Sequence, residues 1–404
     1  MKSRASKWYR IFGFLAALTG FLLIYQNCSS SNFDTPAASA SNNGSGASKT
    51  ANRILISGIP AAHGIFDASI AQDPSSNKIW MSYSAVNAST MWPSQNYDVV
   101  STRLAYSTDL GLTWVDSGSA INSPVDVTLA LAAPFNAGTW HNEVSSLVYD
   151  GGAPASQRWK LMWHHYLLIN GARHFEHGWL ALKMAASPEM LSAASEVKLF
   201  SGSMYDVGNN VLGGGSASPL GGAPAIALDL ALNSQLNNCA IFTEAGMLAN
   251  ASGLYLNLLC GTSTTNHRII LLKCAAPCNP SLGASWSFLG VALNDADAAS
   301  FGFNQGFSGA SLVSANGSYY LLATPVKNTP MDGFYNGCML FKFDNLEAAS
   351  LQRSSGALSN ILSVNGDAGS FNGACTYWPA ASKAGIIYSQ AVSDFRLFST
   401  GITF

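Results

Sequence analysis

The stretch Arg103-Leu-Ala-Tyr-Ser-Thr-Asp-Leu-Gly-Leu-Thr-Trp114 decides the fold, because it predicts a strand, a tight turn and a second strand. The apolar run ends at Tyr106, and the turn follows at once. Asp109 is placed to bond the backbone amides of its own turn, and Gly111 supplies the positive φ that the corner needs. Trp114 opens the next strand with a large ring to bury.

The composition also favours a protein made of many short strands. Glycine is abundant, with 37 residues, and 11% of all residues are aromatic, which is typical of strands joined by tight turns. Charged residues make up only 10% of the chain and the net charge is −2, so we expect no nucleic-acid partner.

The N-terminus resembles the start of a bacterial lipoprotein. Four basic residues precede a short apolar run, 11–25. This pattern is typical of a secretory signal peptide rather than a membrane-spanning helix. Cys28 follows directly and is the candidate for acylation, with an ordinary signal peptide and an incidental cysteine as the alternative. We therefore predict a signal peptide over 1–27, a flexible tether over 28–52, and one folded domain over 53–404.

Six further cysteines, an even number, predict disulfides in an exported chain. Cys239 and Cys260 flank a hairpin predicted near residue 250, so they should lie opposite each other. Cys274 and Cys278 bracket a short turn, which leaves Cys338 and Cys375 as the third pair. No paired Cys-x-x-Cys is present, so we predict no metal site.

The layout of the 103–114 unit recurs along the chain and predicts a ring of repeated sheets. Five units of about four strands can be traced, and 53–57 is an unassigned strand that would complete the last unit and close the ring. The fold class predicted is therefore an all-β, five-bladed β-propeller. In the alternative, a six-bladed sialidase-like propeller, 207–235 would contain another blade.

The Ser-x-Asp-x-Gly-x-Thr-Trp pattern of residues 107–114 resembles the Asp box of sialidases and other β-propellers. There it joins the outer two strands of a blade, away from the active site, so it implies a fold and no activity. A sialidase would also need three arginines for the substrate carboxylate, and no clear set of them is found in this chain. Sialidase activity is therefore a further alternative that ranks below hydrolysis of a neutral sugar.

Aligning the predicted inner strands gives one column of residues around the propeller axis, where ligands of propellers bind. That column consists of Asp67, Glu143, Asn238, Gly309 and Gly373. Two acids facing each other across the axis are what glycoside hydrolysis requires, one as proton donor and one as base or nucleophile. The alternatives are structural: Asp67 would cap a turn, and Glu143 would pair with an arginine.

This arrangement resembles the five-bladed glycosidases of the arabinanase, β-xylosidase and invertase-like clan. The resemblance implies that Asp67 is the base or nucleophile and that Glu143 fills the second, supporting position. The third position, where the acid is expected, holds Asn238. Glu244 lies later on the same strand and is the candidate to replace that acid as a third catalytic residue, although its distance along the strand predicts a place toward the opposite rim.

Several other residues are candidates for binding sugar. His63 and His141 closely precede the two axial acids and are expected to bind sugar hydroxyls or to donate a proton. Trp92, Tyr377 and Trp378 are expected to stack on sugar faces, with ordinary packing as the alternative. The remaining histidines of this region, which are His164, His165, His174 and His177, are predicted to form a polar surface.

The sequence thus predicts a glycoside hydrolase-like protein of the cell envelope, either lipid-anchored or secreted, that acts on a neutral carbohydrate. A propeller that binds carbohydrate without hydrolysing it is the alternative. We expect a monomer without a cofactor, attached to the membrane only through its lipid.

Overall fold

The computed structural model describes residues 51–59, 64–92, 95–122, 125–129, 136–170, 172–201, 236, 239, 241–261, 267–327, 335–366, 371–391 and 394–404. Nearly all regular structure in these ranges is β-strand, and five sheets of four or five strands account for most of it. The one α-helix within these ranges is α1 (Asp295–Ser300), which begins with an Asn294 capping box. No helix among these residues has the length and apolar character to cross a bilayer.

The first two sheets are formed by 64–201 together with a strand from the N-terminus. The first has the order β2-β6-β5-β4-β3 and the second β11-β10-β9-β8-β7. Their strands are β2 (Ile56–Ser57), β3 (Ile65–Gln72), β4 (Ile79–Trp92), β5 (Gln95–Ser107), β6 (Trp114–Asn122), β7 (Val125–Thr128), β8 (Ala137–Tyr149), β9 (Trp159–Ile169), β10 (Ala172–Ala185) and β11 (Glu196–Phe200).

The other three sheets follow in chain order. The third is β12 (Ile241–Asn250), β13 (Gly253–Gly261), β14 (His267–Ala275) and β15 (Trp286–Leu293). The fourth is β16 (Phe307–Ala315), β17 (Ser318–Pro325), β18 (Cys338–Asn345) and β19 (Ser350–Leu351), with β22 (Asn360–Val364) also paired to β18. The fifth is β23 (Phe371–Thr376), β24 (Ile387–Ala391), β25 (Phe395–Ser399) and β1 (Asn52–Arg53); β20 (Arg353–Ser354) and β21 (Ala357–Leu358) form a separate pair.

The innermost strands of these five sheets contact one another in a closed cycle. β3 contacts β8, β8 contacts β12, β12 contacts β16, β16 contacts β23, and β23 returns to β3. Serine hydroxyls join neighbours directly: the amide of Leu147 donates to Ser69 Oγ at 3.0 Å and that of Met247 to Ser146 Oγ at 2.8 Å. The chain is therefore an all-β propeller, as predicted. Residues 207–235, which the six-bladed alternative uses, lie outside the described residues.

Packing between the sheets explains why so many strands are apolar on both faces. Every residue of β13 is buried, since its sheet is covered by a neighbour on each side. One cluster joins Met162 and Leu182 of the second sheet to Leu256 and Leu272 of the third. This contact between sheets forms the core.

The turn at 107–114 has the predicted hydrogen bonds. Asp109 Oδ1 accepts from the amides of Leu112 and Thr113 at 3.1 and 3.0 Å, and Gly111 has a φ of 86°. Trp114 is 1% exposed, and its Nε1 donates to the carbonyl of Gly111 at 3.0 Å. The side chains of this turn thus fix the connection between β5 and β6.

The strand predicted over 53–57 is two short strands that belong to different sheets. Arg53 pairs with Phe398 of β25, which completes the fifth sheet as expected. Ile56 then pairs in parallel with Trp114 of β6, which adds an edge to the first sheet. The segment from Asn52 to Ser57 therefore joins the last sheet to the first.

Disulfides connect all three of the predicted cysteine pairs. Cα separations are 5.0 Å for Cys239–Cys260, 5.3 Å for Cys274–Cys278 and 6.2 Å for Cys338–Cys375, all within the normal range. Cys338–Cys375 joins the fourth sheet to the fifth. Cys28 and the predicted signal peptide lie outside the described residues.

Candidate active site

Each innermost strand carries a β-bulge at the same height, in which two residues lie opposite one residue of the next strand. The first residue of every bulge has a left-handed backbone conformation, which is unusual for residues other than glycine. These five residues are Asp67 (φ 51°), Val144 (φ 55°), Glu244 (φ 54°), Gly309 (φ 50°) and Ala374 (φ 51°).

The bulges correct the predicted axial column. Asp67 and Gly309 are in their predicted places, whereas Glu143 and Gly373 each lie one residue before the equivalent bulge position. The alignment matched Val144 and Ala374 to Ala68, whereas the bulges show both residues to be equivalent to Asp67. The third predicted member, Asn238, lies outside the described residues, and Glu244 holds the equivalent position.

Glu244 therefore lies at the axis beside Asp67, and its predicted place at the opposite rim is wrong. The two residues line one axial cavity of about 30 Å³, to which all five inner strands contribute. The prediction failed because the third strand was started too early in the chain. The sequence Glu244-Ala-Gly-Met is similar to Asp67-Ala-Ser-Ile and Gly309-Ala-Ser-Leu. Aligning the three segments places Glu244 at the position equivalent to Asp67.

The Glu244 carboxylate, 3% exposed, accepts three hydrogen bonds. Oε2 accepts from Ser308 Oγ at 2.5 Å and from the amide of Gly309 at 2.6 Å. Oε1 accepts from the Tyr335 hydroxyl at 3.0 Å. Burial raises the pKa of Glu244 above its usual value, against the opposing effect of these donors.

Glu143 is buried beside the same axis among partners that favour its charge. Tyr166 donates to Oε1 at 2.5 Å, and His141 Nε2 lies 3.4 Å from Oε2. The His141 ring, 2% exposed, stacks on Tyr166 with centroids 4.9 Å apart. Burial raises the pKa of Glu143, but His141, Arg173 and Tyr166 outweigh it and bring the pKa to about 2.

Asp67 has the opposite electrostatic environment. Its side chain is half-buried, and its amide donates to Ser389 Oγ at 2.9 Å. Burial raises the pKa of Asp67 well above the usual value, and the negative charges of Glu143 and Glu244 raise it further, against Arg173. The site thus combines one firmly ionised carboxylate with two carboxyls that hold protons more strongly than usual.

Two neutral histidines, His164 and His165, lie on β9, and His164 is the residue paired with Glu143 of β8. Burial lowers the pKa values of His164 and His165 to about 3, with neighbouring charges acting in addition. His164 Nδ1 is 2.8 Å from Thr243 Oγ1, and His165 stacks on Trp140 at 4.3 Å. The predicted polar surface is wrong here, since His164 and His177 are 3% and 2% exposed.

The structure does not place the other predicted sugar-binding residues beside Asp67 and Glu244. Tyr377 is buried against Phe404, and together with Trp378 it lines a second axial cavity that does not include Asp67 or Glu244. Trp92 ends β4, but its side chain lies outside the description, as does all of His63.

Sequence reasoning missed Tyr166, Arg173 and Tyr335 as partners of the acids. Tyr166 and Arg173 lie on β9 and β10 of the second sheet, while Tyr335 reaches Glu244 from the connection between β17 and β18. Nothing in a single sequence marks these residues, because their contacts depend on how different sheets are placed around the axis.

No protein-family model and no curated protein sequence matches this chain. Among solved structures, a thermostable family-43 glycoside hydrolase is 13% identical, with a TM-score of 0.47, and the match covers 84% of this chain and 90% of that one. A structure from the GH130 family of mannoside phosphorylases is 9% identical, with a TM-score of 0.44 and coverage of 85% and 86%.

A glycosyl hydrolase from Bacteroides ovatus is 8% identical, with a TM-score of 0.44, and the match covers 84% of each chain. All three TM-scores lie below 0.5. The functional assignment therefore rests on the geometry of this chain.

Proposed function

We propose that this protein is a glycoside hydrolase that uses Glu244 as the acid and Asp67 as the base or nucleophile. The observation that carries this is the equivalence of the two residues: both begin an axial bulge, and both line the same cavity. Burial and the charge of Glu143 raise the pKa values of both carboxyls, so the pair keeps a proton for the donor, and the other carboxyl is the acceptor once it is ionised.

In the proposed reaction, Glu244 protonates the glycosidic oxygen as the bond to the anomeric carbon breaks. Asp67, which is half-buried and open to the cavity, activates water or attacks that carbon. Glu143 stays ionised because His141, Arg173 and Tyr166 favour its charge. Its negative charge raises the pKa of the other two acids, which keeps a proton in the site.

A neutral sugar suits this site better than an acidic one. Two carboxyl groups, those of Asp67 and Glu244, line the cavity, and the charge of Glu143 acts on both. Arg173 is an arginine whose charge acts on Asp67 and Glu143. Arg103, Arg353 and Arg396 are paired with aspartates elsewhere. The described residues that line the cavity include no arginine to hold the carboxylate of a sialidase substrate, and the two acids there would repel it.

The assay that tests this proposal offers the purified protein a panel of aryl pentosides and hexosides and of neutral oligosaccharides. Hydrolysis in the parent and its loss in both Asp67→Asn and Glu244→Gln would support the proposal. Glu347→Gln is the matched control, since Glu347 is a carboxylate paired with Lys273 and remote from the axis. Equal activity in parent and axial variants would contradict it.

Binding of carbohydrate without hydrolysis is the second candidate function. It is favoured by one observation, namely that three donors already engage the Glu244 carboxylate. Calorimetric binding of a neutral oligosaccharide that the parent leaves intact would support this candidate.

For the cellular location, we propose export and attachment to the cell envelope through a lipid on Cys28. The three disulfides support an oxidising compartment, because such bonds are rare in a reducing cytosol. The closed cycle of sheets supports a monomer, since it leaves few sheet edges for another copy to pair with.

A further inference from the structure

The three hydrogen-bond donors around Glu244 are unfavourable for a residue that must act as a proton donor. Each of them stabilises the carboxylate and so opposes the protonated form that the proposed reaction requires. A useful acid must hold its proton before the bond breaks and be well stabilised afterwards. At least one of the three donors must therefore be able to release its hydrogen bond to Glu244 while Glu244 is protonated.

The two oxygens of Glu244 differ in this respect. Oε2 has two short contacts, from Ser308 Oγ and from the amide of Gly309, and a backbone amide cannot turn away. Oε1 has one longer contact, from Tyr335. The proton of a neutral Glu244 therefore belongs on Oε1, where the Tyr335 hydroxyl would compete with it.

Tyr335 has a second acceptor within reach. Its hydroxyl oxygen is 3.0 Å from Ser308 Oγ, the same distance as from Glu244 Oε1. A serine hydroxyl has one proton, and that of Ser308 is used on Oε2, so Ser308 accepts in its contact with Tyr335. The single phenolic proton of Tyr335 thus has two alternative acceptors.

We propose that Tyr335 is a positioning residue whose hydroxyl turns between Ser308 and Glu244 as the acid loses its proton. With Glu244 neutral, Tyr335 donates to Ser308 Oγ and leaves Oε1–H free to face the glycosidic oxygen. The proton then passes from Oε1 to that oxygen, which also takes the electron pair of the breaking bond. Tyr335 turns to donate to the new carboxylate at Oε1.

The surroundings hold the Tyr335 ring while its hydroxyl turns. The ring packs against a cluster that contains Phe66, Val86, Val100 and Phe395. On another side lies Gly373, where an added Cβ would approach a ring carbon of Tyr335 to 3.1 Å. Rotation about the C–O bond moves only a hydrogen atom, so no rearrangement of the ring is required.

The inference rests on the proposed function, and its test separates the two. Tyr335→Phe removes the hydroxyl and keeps the ring. Tyr255→Phe is the matched control, because Tyr255 donates to another glutamate, Glu347, away from the axis. Carbon-13 NMR of glutamate-labelled protein, with the Glu244 signal assigned from Glu244→Gln, gives the pKa of Glu244 in each variant.

We expect a higher pKa for Glu244 in Tyr335→Phe and the parental value in Tyr255→Phe, because only the first loses a donor to the Glu244 carboxylate. An unchanged pKa in Tyr335→Phe, or equal shifts in both variants, would overturn the role of Tyr335. In an active parent, the basic limb of the kcat profile should also move to higher pH in Tyr335→Phe, with kcat about tenfold lower. A parent without activity would refute only the proposed function, since the NMR titration still decides the role of Tyr335.

Discussion

Asp67 and Glu244 occupy the same position in two different sheets, each as the first residue of an axial bulge, with φ values of 51° and 54°. A left-handed conformation at an acidic residue stores backbone strain, which the surrounding strands must maintain. Here the bulge turns both residues toward one cavity. The five bulges therefore place five equivalent residues around the axis, and two of these residues are acids.

Asp67→Asn should abolish hydrolysis and raise the thermal stability of the protein near neutral pH. A carboxyl whose pKa is raised by folding destabilises the folded state progressively as pH rises through that pKa. The amide removes this cost, and asparagine tolerates the left-handed backbone at this position. Calorimetry should show a higher Tm than the parent at about pH 7 and a smaller difference at about pH 4. Asp344→Asn, at an exposed position, is the control and should change neither quantity.

Glu143→Gln should make stability less dependent on pH in the acid range. The folded pKa of Glu143 is about 2, below its usual value of 4.5, so its ionised form stabilises the folded state above about pH 4.5. That contribution is lost as pH falls from 4.5 toward 2. Urea unfolding should therefore find the variant less stable than the parent at about pH 6, with the difference shrinking at about pH 3. A constant difference at both values would contradict the assignment.

Replacing Cys338 and Cys375 by serine should destabilise the protein more than the same change at Cys274 and Cys278. The first pair closes a loop with a sequence separation of 37 and the second one of only 4. In the chain-entropy model this corresponds to about 4 and about 2 kcal/mol of unfolding free energy. Chemical denaturation of the two double variants measures both values, and equal losses would rule out the entropic explanation for this protein.

Cys28→Ser should move the protein from the membrane fraction to the soluble fraction of the expressing bacterium. Acylation needs the thiol, and the tether contributes no apolar segment of its own that would hold the protein at the membrane. Immunoblots of separated fractions provide the readout, with Cys28→Ala as a second variant. Unchanged membrane association in both variants would contradict lipidation.

The propeller class and the cysteine pairs were predictable because they depend on local signals. The turn around Asp109 is fixed by side chains within seven residues, and the Cys239–Cys260 pair follows from the register of one hairpin. These features need no knowledge of how distant sheets meet. The strand at 53–57 was predictable only in part, because its second half pairs in parallel with β6.

The candidate site was less predictable, because the sequence does not mark which residue of each inner strand begins the bulge. Glu143 was aligned one residue off, and Glu244 was placed at the wrong rim. Tyr335 was absent from the prediction altogether, because its contact with Glu244 spans two sheets. A search for a small residue pair after each inner acid would have found Glu244.

The pairing of β1 with β25 also constrains when the ring can form during synthesis. Asn52 and Arg53 emerge from the ribosome early, but their partners Ser399 and Phe398 emerge only after the strands of the first four sheets. β3 of the first sheet contacts β23, β24 and β25 of the fifth, so the first sheet has an open side until these strands have been translated. During that interval the nascent chain exposes the apolar faces that the fifth sheet later covers, including Ile65 and Ile70. A chain stopped before β25 would keep this surface and should be a substrate for chaperones and proteases.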